Sequence, residues 1–423
     1  MQEQQTAKGS YINLLLLILS GEAIFILPYV LARVFRPTFL DVFALSNFEL
    51  GSLFSVYGTI ALLSYVYGGV LADKFLPRKL IALSMFSTAL GGIVLATFPS
   101  YLTLQILFGY WGFTTVFLFW GAMIKATRLW GGSISQGQAF GFLDGGRGLV
   151  AASMSSIGVF IFSLILTTDI QSANITERQE AFRYVILFSS FMVALIGVFV
   201  LLFMKSETEK KISASAKFNS LDEIKAVIKL PAVWLLMIII MSAYVGYKLT
   251  DIYSLYASDV MLYNQIDAAE VGALQLYLRP IVCVIIGLLA DRTSGTKWII
   301  TGFIIMLIGA IIFSSGIIKS NMDLVFILSL VVIAMGTYAA RALYFAVFHE
   351  GNIPIALTGT AVGVVSVIGY TPDIFASPIM GFLLDRYPGI LGHQYVFGML
   401  VIFSILGLIA SIKFYKLTKE INS

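Results

Sequence analysis

Long apolar runs, each closed by a few charged or polar residues, follow one another along the whole chain. Crossing the hydrocarbon of a bilayer takes roughly 20 apolar residues in a helix. Runs of that length predict spans over 12–34, 47–72, 79–98, 101–127, 137–167, 181–205, 232–257, 266–291, 297–318, 322–348, 357–385 and 392–416. The longest polar connection, Lys205 to Lys229, follows the sixth run and carries Glu207, Glu209, Lys210, Lys211, Lys217, Asp222, Glu223 and Lys225. It divides the chain into an N-terminal six-helix bundle (1–205), a linker (206–230) and a C-terminal six-helix bundle (231–423). Leu221 to Ile228 predicts a short surface helix, with Ser220 as its N-cap before Glu223. The expected fold class is therefore an all-α polytopic membrane protein of twelve transmembrane helices in two pseudo-symmetric bundles.

The two halves repeat a membrane-edge pattern. Gly68-Gly69-Val70-Leu71-Ala72-Asp73-Lys74 ends the second run, and Gly287-Leu288-Leu289-Ala290-Asp291-Arg292 ends the eighth. Asp73 and Asp291, Gly141 and Gly359, and Gly145 and Gly363 all stand at one common separation. Asn47-Phe48-Glu49-Leu50-Gly51 before the second run echoes Ala268-Ala269-Glu270-Val271-Gly272 before the eighth, with a small length difference. A parallel repeat predicts two similar bundles related about the membrane normal, with a central path between them.

Composition narrows the class. Hydrophobic residues make up 59% of the chain and charged residues only 12%, against about 25% charge in soluble domains. Lipid must be the solvent for much of that side-chain surface. The single cysteine, Cys283, sits in an apolar run and excludes a disulfide scaffold or a cysteine-rich metal site. The net charge of +4 is explained by basic residues flanking spans, so no nucleic-acid partner is expected. Met1 to Ser10 has no clear cleavage site, which makes the first run a retained span rather than a signal peptide. Lys8, Lys74, Arg78, Lys79, Lys125, Arg128, the linker lysines, Arg292, Lys297, Lys413, Lys416 and Lys419 fall on one side. Arg33, Arg36, Arg178, Arg183, Lys319 and Arg386 fall on the other. That asymmetry predicts cytoplasmic N- and C-termini.

Gly69-Val70-Leu71-Ala72-Asp73-Lys74-Phe75-Leu76-Pro77-Arg78-Lys79 resembles the loop between spans two and three of the major facilitator superfamily, and Gly287 to Lys297 is a second, degraded copy. The resemblance covers almost the whole chain and implies a secondary transporter that alternates between inward-open and outward-open states. Span four offers Gln105-Ile106-Leu107-Phe108-Gly109 where many proton-driven exporters of the family carry an arginine, which lowers the case for drug export. Gly141-Phe142-Leu143-Asp144-Gly145-Gly146-Arg147-Gly148 looks closer to poorly characterised bacterial carriers grouped with organophosphate or nitrate porters. The resemblance also implies the bacterial inner membrane. Asp73 and Asp291, with Arg78 and Arg292, are then expected to act as latches that stabilise one transport state. The plainer reading is a membrane-edge turn with topology charges.

Ionisable groups at membrane depth are costly and normally line a cavity, pair with one another or do transport work. The candidates are Glu22, Asp144, Arg147, Lys248, Asp251, Arg279, Arg341 and Asp373, four acids and four bases. Asp144 and Arg147 are three apart and can share a helical face, as can Lys248 and Asp251. Arg279 precedes Pro280, and Asp373 lies between Pro372 and Pro378 on an expected bent span. Glu22, Arg147, Lys248, Asp251, Arg279, Arg341 and Asp373 are expected to bind substrate or couple its movement, and Asp144 to join a gating network. Constitutive internal pairing is the competing reading for each. Trp111, Trp120, Tyr244, Tyr247, Tyr277, Tyr338 and Tyr370 could shape a pocket, though most such aromatics pack between helices or face lipid. His349 and Glu350 form a weak candidate for a pH-sensitive gate.

No metal site, nucleotide-binding loop or catalytic triad is recognisable, so neither a cofactor nor an enzyme is expected. The expected partners are a small-molecule substrate, a coupling proton or other ion, and the lipid bilayer, with the monomer as working unit. The several arginines favour an organic anion. The equal number of acids keeps amino acids, short peptides or other zwitterions open, and a non-transporting receptor is the alternative of a different class.

Overall fold

The structure is a computed structural model, which describes residues 11–131, 136–166, 174–205, 221–344, 346–348, 350–353 and 358–422. The helices run in chain order as α1 (Tyr11–Ala23), α2 (Leu31–Val34), α3 (Arg36–Phe43), α4 (Asn47–Lys74), α5 (Pro77–Leu95), α6 (Tyr101–Gly112), α7 (Gly121–Gly131), α8 (Gln136–Ile165) and α9 (Ile175–Phe203). They continue as α10 (Leu221–Ile228), α11 (Pro231–Leu249), α12 (Tyr253–Asp259), α13 (Gln265–Arg292), α14 (Gly295–Ser314), α15 (Asp323–Leu343), α16 (Thr358–Gly369), α17 (Pro372–Arg386) and α18 (Ile390–Asn422). Among the described residues, 11 helices are long and apolar enough to cross a membrane, or up to 12 if the bent pair Arg36–Phe43 and Asn47–Tyr65 counts as one span. The short helix expected over 221–228 is α10; its expected cap, Ser220, lies outside the described residues, as do Glu207, Glu209, Lys210, Lys211 and Lys217.

Several spans are broken, and local chemistry explains where. Pro28 cannot donate a backbone N–H, and the chain passes through a π-helical turn at Ile26–Val30 between α1 and α2. The run over 101–127, expected as one helix, contains a π-helical stretch at Phe113–Trp120. There Thr115 Oγ1 donates to the Trp111 carbonyl at 2.7 Å, competing with the backbone for that acceptor. A 3₁₀ turn, Thr250–Ile252, separates α11 from α12. Pro372 at the first position of α17 fixes the break after α16, so the bend expected around Asp373 is a helix boundary. Two N-termini carry reciprocal capping boxes, Ser46 with Glu49 at α4 and Asn174 with Glu177 at α9.

The chain divides by its contacts into two compact units. The first comprises Met1–Glu209 with Tyr263–Pro280, and the second Lys210–Leu262 with Ile281–Ser423. In the first unit, Phe35, Phe39, Phe54, Phe108, Trp111 and Phe182 are buried in one core that also takes in Ile266, Ala269, Ala273 and Leu276 of α13. Gly272 allows this packing, because a Cβ there would lie 2.8 Å from the Val34 Cα. In the second unit Tyr256, Phe313, Phe326 and Phe397 interlock around His393, whose Nε2 lies 3.0 Å from Asp259 Oδ2. Leu102, Ile106, Phe160, Phe191, Leu202 and Leu324 remain exposed, as side chains solvated by lipid do.

Two of the basic residues placed above at span ends are buried within the protein. Arg33 and Arg36 pack inside the first unit, and Arg36 donates to Asn47 Oδ1 from both Nε and Nη2, at 3.3 and 3.1 Å. Their position beside the kinked start of α4 gives them polar groups to bind, which a hydropathy pattern does not register.

Candidate functional site

The charges that the sequence singles out fall into two clusters, one in each unit. Most stand where a span is interrupted. Glu22 is in the last turn of α1, Lys248 ends α11, Asp251 is in the 3₁₀ turn, Arg341 is in the last turn of α15, and Asp373 opens α17. A broken helix exposes backbone polar groups that must find partners inside the protein, and charged side chains serve there.

The first cluster joins α1, α8 and α13. Arg147 Nε donates to Glu22 Oε2 at 3.1 Å, and Arg147 Nη1 lies 3.3 Å from Asp144 Oδ1. Arg279 approaches the same two acids, with Nη1 3.8 Å from Glu22 Oε2 and Nη2 3.7 Å from Asp144 Oδ1. Two cations and two carboxylates thus neutralise one another. Glycines admit the contacts: a Cβ at Gly21 would sit 3.2 Å from Arg147 Cδ, and one at Gly148 would sit 3.0 Å from Pro280 Cδ. The Arg147 guanidinium also lies 5.6 Å from the Phe25 ring centre and 5.8 Å from that of Trp120, within cation–π range. Glu22, Arg147 and Arg279 are brought together and Asp144 joins them, each acid within 4 Å of both arginines.

The second cluster joins α11, the 3₁₀ turn, α15 and α17. Lys248 Nζ lies 3.1 Å from Asp251 Oδ2 and 3.6 Å from Asp373 Oδ1. Tyr244 donates to Asp373, with its hydroxyl 3.0 Å from both carboxylate oxygens. The Lys248 and Asp251 side chains are each 1% exposed, while that of Asp373 is 17% exposed. The Arg341 guanidinium stacks on Tyr247, 3.6 Å from the ring centre. Tyr244 packs edge-on against Tyr370, whose hydroxyl is 3.2 Å from that of Tyr344. Among the described residues Arg341 has no carboxylate at ion-pair distance, and its buried Nη1 has no hydrogen-bond partner. Arg147, Lys248 and Arg279 all have one.

The aromatic candidates separate in the same way. Trp120, Tyr244, Tyr247 and Tyr370 lie against the charges, whereas Trp111 is packed between helices, donating to the Thr88 carbonyl at 3.1 Å. Tyr338 is fully buried, and Tyr277 reaches Ser156 at 3.0 Å.

The membrane-edge residues are positioned by α4, α5 and α13. Asp73 and Asp291 lie in the last turns of α4 and α13, but their side chains are outside the described residues. Arg78 is in the first turn of α5, with Nε buried, and Arg292 is exposed at the end of α13. Gly68 lets α4 approach a neighbouring span closely: a Cβ there would lie 3.0 Å from the Phe117 carbonyl oxygen. Lys125, which the sequence marks only as a topology charge, donates to the Ala72 carbonyl at 2.9 Å and so caps α4. His349 is outside the described residues. Glu350 caps α14: it accepts from the Gly295 backbone N–H at 2.7 Å, from that of Thr296 at 3.2 Å, and from the Ser294 and Thr296 hydroxyls. The signal available in the sequence was the Thr293-Ser294-Gly295-Thr296 turn, but nothing local says which distant acid meets it.

Helices of membrane-spanning length, interrupted where buried charges meet, define a multi-pass membrane carrier. The sequence profile of the Major Facilitator Superfamily matches residues 14–372, and the chain belongs to that family. It is 26% identical to the inner membrane protein YqcE of Escherichia coli K12, over 95% of this chain and 96% of that one. It is also 26% identical to the inner membrane protein YihN of the same organism, over 95% and 94%. A bacterial homologue of the human lysosomal transporter Spinster, in an inward-facing and unoccupied conformation, has the same fold with TM-score 0.71 at 16% identity, over 98% of each chain. The nucleoside transporter NupG does so with TM-score 0.70 at 14% identity, over 97% of this chain and 100% of that one. The chain is thus a multi-pass bacterial inner-membrane protein and a secondary transporter of small molecules with an alternating-access fold, not an enzyme.

Proposed function

We propose that the chain carries a small organic anion, coupled to a proton or another ion, with Arg341 as the group that meets the cargo. One observation supports this above the others. Of the four membrane-depth cations singled out, Arg341 alone, among the described residues, lacks a carboxylate, and its Nη1 keeps a buried donor unused. A buried donor without an acceptor is unfavourable, and a planar anion on the guanidinium removes the deficit. The stack on Tyr247 holds the group in place, and the Tyr344 and Tyr370 hydroxyls form a neighbouring polar pair. Asp373 is the proposed coupling acid, because Lys248 keeps Asp251 when Asp373 takes a proton. Each anion carried with one proton leaves the net charge of this cluster unchanged.

A zwitterion is the second reading. Asp373 is the partly exposed acid of a cluster that also holds Arg341, so a cargo ammonium and carboxylate would both find counter-charges. The working picture retains two six-helix halves opening alternately, cytoplasmic termini, edge latches at Asp73 and Asp291, and a monomeric unit.

Flux in proteoliposomes tests these readings, using organic carboxylates, amino acids, and a nucleoside as the neutral member suggested by NupG. Anion uptake is expected to respond to an imposed pH gradient. Arg341→Gln is expected to lower it at least about tenfold, as loss of a charge-assisted hydrogen bond does, without loss of fold. Equal anion flux in Arg341→Gln and the parent chain would reject this assignment, and amino-acid flux without carboxylate flux would favour the zwitterion.

A further inference from the structure

The four charges of the first cluster are not alike. The side chains of Glu22, Arg147 and Arg279 are 4%, 9% and 4% exposed, whereas that of Asp144 is 62% exposed. Asp144 nevertheless presents one oxygen, Oδ1, to both guanidiniums, 3.3 Å from Arg147 Nη1 and 3.7 Å from Arg279 Nη2. Solvent competes for such an exposed carboxylate, so little is lost when it swings into water. Glu22 has no such freedom, since leaving its two arginines would strand buried charges. With Asp144 turned away, Arg147, Arg279 and Glu22 carry one net positive charge. A carboxylate at membrane depth is tolerated where it meets a counter-charge, and here Asp144 meets two.

We propose that Asp144 is a resident stand-in for a ligand, and that a small organic carboxylate binds Arg147 and Arg279 by displacing it. The class follows from the occupant: a carboxylate oxygen already lies between the two guanidiniums, and one net positive charge matches a monoanion better than a phosphate dianion. Asp144 thereby sets the affinity of the site, and a network that looks structural acts as a competitor built into α8. The inference shares the organic-anion reading above but rests on different residues.

Acetate and inorganic phosphate are the probes, titrated into the full-length protein in nanodiscs. Trp120 is the reporter, with its ring 5.8 Å from the Arg147 guanidinium carbon, and Trp120→Phe identifies its share of the fluorescence. Acetate is expected to give a saturable Trp120 response, and phosphate a weaker one. Asp144→Asn is expected to bind acetate about tenfold more tightly, and Arg279→Gln to lose the response. Acetate should also raise the melting temperature of Asp144→Asn more than that of the parent chain, a readout that does not need the fluorescence. Acetate binding to Asp144→Asn that is unchanged or weaker, or no added thermal protection, overturns the proposal, since a purely structural ion pair gives that result. Carboxylate flux in the parent chain with a silent Asp144→Asn titration would remove this site alone. A positive titration without anion flux would remove the carrier reading and leave the site.

Discussion

Lys248 illustrates what one buried cation asks of its neighbours. It is held by two acids that differ in access to water: Asp251 at 3.1 Å is as buried as the lysine, and Asp373 at 3.6 Å is partly exposed. Removing one member of a buried pair costs about 3–5 kcal/mol, because the remaining charge stays desolvated. Asp251→Asn is therefore expected to lower the melting temperature in detergent clearly more than Asp373→Asn, for which Tyr244 still supplies a donor to the amide oxygen. Asp373→Asn should instead act on coupling, leaving carboxylate exchange but reducing the response of uptake to a pH gradient. Matching thermal shifts for the two variants would mean that both acids are equivalent supports for Lys248.

At the scale of elements, helices in this chain approach one another through glycine. In the α14–α15 pair the obstacle is backbone: a Cβ on Gly336 would lie 2.3 Å from the Met306 nitrogen and 2.7 Å from the Gly302 carbonyl oxygen. Without a hydrophobic force between helices in lipid, such backbone contact is a main source of association. Gly336→Ala must push the two helices apart, at a cost of about 1–3 kcal/mol or more. Gly287 in α13 is the control, since a Cβ there meets nothing within 4 Å. Gly287→Ala is expected to be neutral or to gain up to about 1 kcal/mol from helix propensity. Comparing the thermal unfolding of the two variants checks the assignment, and comparable losses would show that the glycines serve backbone freedom rather than contact.

At the scale of the whole molecule, the family and the broken spans make this a carrier driven by gradients. Flux in sealed proteoliposomes is expected without ATP and to collapse when ionophores dissipate the imposed gradients. Accumulation that persists after that collapse would require a different energy source. The charge economy of the molecule fits such a device. Within each unit the described acids and bases at membrane depth nearly balance, so no large field opposes a small solute, and each step of loading or release needs only a local exchange of partners.

Much of this was legible in the sequence, because the bilayer imposes a length and a polarity on every crossing helix. Runs of apolar residues located the spans, Pro372 and Pro378 marked a bend, and the price of charge in hydrocarbon singled out Glu22, Arg147, Lys248, Asp251, Arg279, Arg341 and Asp373. Partners were not legible. Arg36 meets Asn47 across the bend between α3 and α4, while Lys125 caps α4, Glu350 caps α14, and Arg279 shares two acids with Arg147 through contacts between elements distant in the chain. Spacing of three residues suggested the Lys248–Asp251 and Asp144–Arg147 pairs, since one helix turn fixes them. Which of the singled-out cations has no acid among the described residues, and which acid is left exposed, depends on how separate helices pack. Hydropathy is a property of each segment taken alone, whereas satisfaction of a buried charge is a property of everything that surrounds it.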